Sequence, residues 1–85
     1  MNSQKINELV ASAVGQSFDA WAAQHPTLAA VIDHVTLTDR TVESLRTSPE
    51  YQSAIEAYHR DANELRFLSQ LVELVQPILL GLLAA

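Results

Sequence analysis

Pro49-Glu50-Tyr51-Gln52-Ser53-Ala54-Ile55-Glu56-Ala57-Tyr58 opens the stretch that decides the fold, which runs on as HRDANELRFLSQLVELVQPILLGLLAA to Ala85. Ser48 suits an N-cap, Pro49 the first helical position, and Glu50 the positive end of a helix dipole. No glycine or proline follows until Pro77. Tyr51, Ile55, Tyr58, Ala62, Leu65 and Val72 are spaced in steps of three and four, with Ser69 filling the remaining step, and so share one helical face. A second apolar stripe begins at Leu68 and continues through Leu71, Val75, Ile78 and Leu82. From Phe67 onward Glu73 is the only charged residue. A helix apolar almost all round has to be covered. The spacing predicts one long helix over about 49–76, kinked or broken near Pro77, because proline removes the hydrogen bond to the Glu73 carbonyl and clashes there.

Upstream, the pattern predicts three shorter helices. Ile6, Leu9, Val10, Ala13, Val14, Phe18 and Trp21 mark an amphipathic helix over about 3–24, with Asn2 or Ser3 as its cap. Gly15 weakens that helix by roughly 1 kcal/mol relative to alanine. It ends before His25, since a residue preceding proline avoids the α region. A second helix, about 26–35, buries Leu28, Val31, Ile32 and Val35. Thr36-Leu37-Thr38-Asp39 reads as a turn with Thr38 as the next cap. A third helix, about 39–47, points Val42 and Leu45 inward. The expectation is one all-α domain over 1–85 with no internal repeat or linker.

Composition narrows the function. Eighty-five residues without cysteine allow neither a disulfide nor a thiolate metal site. A chain of this size buries a modest core. Self-association through the long helix is therefore the expected route to stability, with Leu65, Leu68, Leu71, Val72, Val75, Ile78, Leu79 and Leu82 as the candidate interface. Ten acids against five bases give a net charge of −5. The bases Lys5, Arg40, Arg46, Arg60 and Arg66 are scattered, with no cluster to follow a phosphate backbone. An acidic surface also disfavours anionic membranes. No basic region leads into an apolar run at the N-terminus, so a signal peptide is not expected, and a cytoplasmic location is. Phe67–Ala85 approaches the length of a membrane span. Gln70, Glu73, Gln76 and Pro77, and the absence of a basic flank, make a membrane anchor the lesser reading.

The chemistry-bearing patterns are sparse. Glu56-Ala57-Tyr58-His59 places a carboxylate and an imidazole on one helix face, as di-iron carboxylate proteins do. The further carboxylates such a site needs are missing, and Glu56 with Arg60 serves equally as a surface ion pair. His25 reads as a solvated connector residue, and His34 as a polar-face or C-terminal residue of the second helix. With no phosphate loop, nucleophile elbow or paired-carboxylate motif, the expectation is a protein that is not an enzyme, without cofactor or metal.

Val31-Ile32-Asp33-His34-Val35-Thr36-Leu37-Thr38-Asp39-Arg40-Thr41-Val42-Glu43-Ser44-Leu45 has the spacing of a helix-turn-helix. An apolar pair, a turn, a cap and a Thr-Val step would wedge two short helices at a steep angle. With the continuation Arg46-Thr47-Ser48-Pro49-Glu50-Tyr51, residues from about Pro26 to Tyr58 resemble the phage terminase small-subunit group. That resemblance implies DNA binding by the helix-turn-helix, through Arg40, Thr41, Ser44, Arg46 and Thr47, and assembly through the helices beyond it. The sequence departs from that pattern at Thr36, where glycine is common, and at Ile32, where a small residue is common. The leading expectation is thus a self-assembling, non-catalytic helical adaptor of phage or mobile-element type that binds itself and double-stranded DNA. The alternatives are an acidic protein-interaction or inhibitor module without DNA, and a membrane-anchored small protein.

Overall fold

The computed structural model describes residues 3–84, apart from the side chain of Ser3. The cap expected from Asn2 or Ser3 therefore falls outside what is described. The fold is all-α: α1 Ser3–Gln24, α2 Pro26–Ala29, α3 His34–Arg46, α4 Pro49–Asp61 and α5 Glu64–Ala84. α1 ends where the sequence places its end. The His25 amide donates to the Trp21 and Ala22 carbonyls, and Pro26 begins the next turn. His25 is the exposed connector residue expected, and in addition its ring stacks on Trp21 at 4.8 Å and its Nδ1 lies 3.2 Å from the Trp21 carbonyl. It closes the end of α1 with its own side chain.

The middle of the chain departs from the helix-turn-helix reading. α2 is one turn, and the expected turn at Thr36–Asp39 lies inside α3. Asp33 is the cause. Its Oδ1 accepts the Val35 and Thr36 amides at 3.0 and 3.3 Å, and its Oδ2 accepts the Thr36 hydroxyl at 2.9 Å. A residue capping in this way sits in extended backbone (φ −78°, ψ 102°), so no helix can pass through it. α3 then buries Leu37, Thr41 and Leu45 at four-residue steps. The Thr41 hydroxyl donates to the Leu37 carbonyl at 2.8 Å.

The long C-terminal helix is broken once, at Ala62–Asn63 rather than at Pro77. Ala62 adopts the left-handed conformation (φ 50°, ψ 33°). Flanking polar groups hold this bend. Asp61 accepts the Asn63 amide, Asn63 Oδ1 accepts the Arg66 amide as a new N-cap, and Arg66 pairs with Asp61. Tyr58 stacks on Phe67 across the corner at 4.8 Å. Pro77 stays inside α5 because it is exposed, where the Glu73 carbonyl it leaves unpaired can meet water. Buried Val75 and Leu79 hold the helix on either side.

α1 and α5 share the largest interface and run in the same direction. Lys5 pairs with Glu64 near one end, while Ser17, Trp21 and Gln24 line a cavity with Gln76 and Leu80 near the other. α4 returns antiparallel to α5, with Ser53 and Ala54 beside Gln70 and Leu74. The molecule is elongated along these helices, at 42 × 21 × 19 Å. Ile6, Val10, Val14 and Phe18 of α1 meet Phe67, Leu71, Val75 and Leu79 of α5 in one core. Tyr51, Ala54 and Tyr58 of α4 and Leu37 and Leu45 of α3 close it.

Candidate interaction surface

The α2–α3 corner carries the least expected feature of the surface. Leu28, Val31 and Val35, whose spacing predicts a buried face, are 55%, 80% and 71% exposed. The spacing is helical, but the Asp33 cap divides these residues between α2, a turn and α3. Only Ile32 of the four turns inward, and it packs against the edge of the core. It lies beside the last turns of α5, where Ile32, Leu37, Leu82 and Leu83 floor a cavity of about 300 Å³. Asp33, Thr36 and Arg40 rim that cavity. A second hollow of about 370 Å³ adjoins it through Arg40 and Leu82, and adds Glu43 and Ser44. Together they form a groove along α3 that ends on the C-terminal turns of α5, apolar-floored in the first hollow and mostly polar in the second.

The charged residues lining the groove are Asp33 and Glu43 against Arg40, and the molecule as a whole is acidic. Of ten acids and five bases, the ion pairs Lys5–Glu64 and Arg66–Asp61 take up two of each, which leaves eight carboxylates and three arginines among the described residues. The Thr36 hydroxyl, then the Thr36 and Val35 amides and the neighbouring His34, hold the Asp33 carboxyl below its ordinary value of 3.8. Asp33 thus keeps its charge on the rim well into the acid range. The groove can take a short apolar side-chain row, and Asp33 and Glu43, one in each hollow, can each meet a cationic group, with Arg40 between them.

The candidate residues are distributed differently from the sequence expectation. Arg40 and Ser44 reach the groove rim. Thr41 is fully buried, with its hydroxyl bonded inside α3, and cannot contact a DNA groove. Arg46 is exposed but lies six residues from Arg40, on another side of the helix. Thr47 ends α3 and donates its hydroxyl to the Ser44 carbonyl. Among the candidate interface residues, Leu71, Val75 and Leu79 belong to the chain's own core and are closed to a second copy in this conformation. Leu68, Val72, Ile78 and Leu82 pack against the edge of that core. Leu65 alone is open, at 83% exposure.

Two other features are smaller. His34 opens α3 with its ring edge-on to Phe18 at 4.2 Å, beside a cleft of about 200 Å³ that Asp19 and Thr38 also line. Among the described residues no three His, Asp or Glu side chains converge as a metal site would need, so Glu56 and His59 have no third ligand near them. α5 is the one helix among the described residues that is long and apolar enough to cross a membrane. Here one face of it is packed under α1, α3 and α4. Comparison of the chain with protein-family models, with curated proteins and with solved structures finds no match.

Proposed function

We propose that this protein is a non-catalytic helical interaction module that seats a basic amphipathic helix of another protein in the α3–α5 groove. The observation that carries this reading is a groove floored by Ile32, Leu37, Leu82 and Leu83 and rimmed by Asp33 and Glu43, on a molecule of net charge −5. Helix-in-groove binding uses an apolar row at i, i+3, i+4, i+7 for affinity, and flanking charge for steering and register. Double-stranded DNA fits less well. Glu43 stands beside Arg40 and Ser44 on the same rim and repels phosphate.

The test is a fluorescence-anisotropy titration with a labelled synthetic helix, leucines on one face and lysines on the other, against a scrambled peptide of equal composition. The amphipathic peptide binds and the scrambled one does not. Leu82→Asp with Leu83→Asp weakens binding about tenfold or more, because each buried aliphatic contributes about 1.5–3 kcal/mol. Those substitutions add negative charge, so attraction by charge alone would strengthen instead. Tighter binding by the variant, or equal binding of both peptides, refutes the reading. A low-salt gel shift with duplex DNA shows no complex at about 50 mM salt, where phosphate contacts are strongest.

A further inference from the structure

The bend between α4 and α5 is held against the helical preference of its central residue, Ala62. Ala62 is the one non-glycine residue among the described residues with positive φ. Alanine rarely adopts that conformation and is the strongest helix former. The periodicity of Tyr51, Ile55, Tyr58, Ala62 and Leu65 continues in register through the bend, as one uninterrupted helix would require. Leu65, the second residue of α5, is 83% exposed beside the corner. The bent form is fastened by local devices: the Asn63 cap, the Asp61–Arg66 pair and the Tyr58–Phe67 stack.

We propose that α4 and α5 straighten into one helix and that two copies exchange α5, giving a domain-swapped dimer. In that dimer α5 of each chain occupies the place beside α1, α3 and α4 of its partner, so the core contacts are remade between copies. Short hinges under strain favour such exchange. Ala62 returns to the right-handed region, and the amides around the hinge gain helical partners. The strengthened stripe of Ala62 and Leu65 from the two copies meets where the straight helices cross, which covers the leucine the monomer leaves in water. The fused helix spans about 54 Å and lifts α4 off α5, which within one copy would uncover the core residues Tyr51, Ala54 and Tyr58. The α3–α5 groove persists with the partner's α5 as its wall, so this inference stands apart from the proposed binding role.

The experiment sets hinge variants against the mass of the assembly, measured by light scattering after refolding at high protein concentration. Asn63→Ala removes a cap that only the bent form uses. It shifts each hinge about fivefold, and therefore dimer affinity about 25-fold, toward the straight form. Asn63→Lys, helix-prone and without a capping oxygen, repeats the test with a different side chain. Ala62→Gly favours the bend and moves the population toward monomer. Leu65→Lys leaves the melting temperature of the monomer unchanged and abolishes the dimer. Spin labels on Ser53→Cys and Gln70→Cys, refolded with excess unlabelled protein, report the bend within one chain. The two sites line one cavity in the bent form, and lie about 25 Å apart along a straight helix. A dimer with the long distance supports the exchange. A dimer that keeps the short distance, a dimer that survives Leu65→Lys, or Asn63 variants that remain monomeric at every concentration each overturn it.

Discussion

Replacing Leu71 by alanine, with Leu65→Ala as its counterpart, tests which face of α5 belongs to the core. Leu71 is fully buried in the seam with α1, and Leu65 is 83% exposed. Truncating a leucine in a packed core costs about 3 kcal/mol, the lost transfer energy plus the cavity left behind. An 85-residue domain holds roughly 4–13 kcal/mol in total, so one such loss removes a large share of it. Leu65→Ala should stay within about 0.5 kcal/mol, since both residues form helix well and little area leaves water. In urea, with a slope of about 1.5 kcal/mol per molar, the Leu71→Ala midpoint falls by about 2 M. The Leu65→Ala midpoint moves by less than about 0.4 M on the same slope. Equal shifts for the two variants, or the larger shift for Leu65→Ala, would mean that α5 presents a different face to α1.

Three further outcomes follow from local chemistry. Pro77→Ala restores an amide donor to the Glu73 carbonyl on the exposed side of α5 and stabilises by about 1–3 kcal/mol, read as a higher melting temperature. Ser17→Ala is neutral or stabilising by up to about 1 kcal/mol in the same assay, because the buried Ser17 hydroxyl has no partner among the described residues. Acid weakens the fold. The Thr36 hydroxyl lowers Asp33, the Asn63 amide lowers Asp61, and the Ser48 hydroxyl lowers Glu50, from ordinary values of 3.8, 3.8 and 4.5. Their stabilisation is complete above those ordinary values and is lost as pH falls through the lower folded-state values. Melting temperature therefore drops below about pH 4, and Asp33→Ala makes that acid limb shallower. Burial raises the Tyr51 hydroxyl above 10.0, the opposite sign for an acid, so its contribution is lost only as pH climbs beyond about 10.

The sequence makes some of this fold legible and hides the rest for identifiable reasons. α1 was readable as a helix, and to its C-terminal end at Gln24, because its apolar spacing is regular and Pro26 stops it. The corner after α2 was not. Leu28, Val31, Ile32 and Val35 have perfect helical spacing, yet the Asp33 cap, which accepts from the Val35 and Thr36 amides and the Thr36 hydroxyl, outweighs it. An Asp followed three residues later by Thr, ahead of Leu37, was the available signal. The bend at Ala62 had weaker signs still, since neither glycine nor proline marks it and only Asp61 and Asn63 hint at capping. Pro77 drew the expected break to the wrong place, because whether proline disrupts a helix depends on which side faces water. α5 is apolar on nearly every side, so periodicity could not tell Leu71 in the core from Leu65 in solvent. The groove was illegible, because nothing local states that the first turns of α3 meet Leu82 and Leu83.

The most direct test of the account is to follow backbone amide shifts of isotope-labelled protein while the leucine–lysine helix is added. If the groove seats the helix, shifts concentrate on Ile32 to Ser44 and on Leu82 to Ala84 and saturate together. Shifts spread over the carboxylates of α1 and α4 with the groove unmoved, or no shifts on any residue, would contradict it.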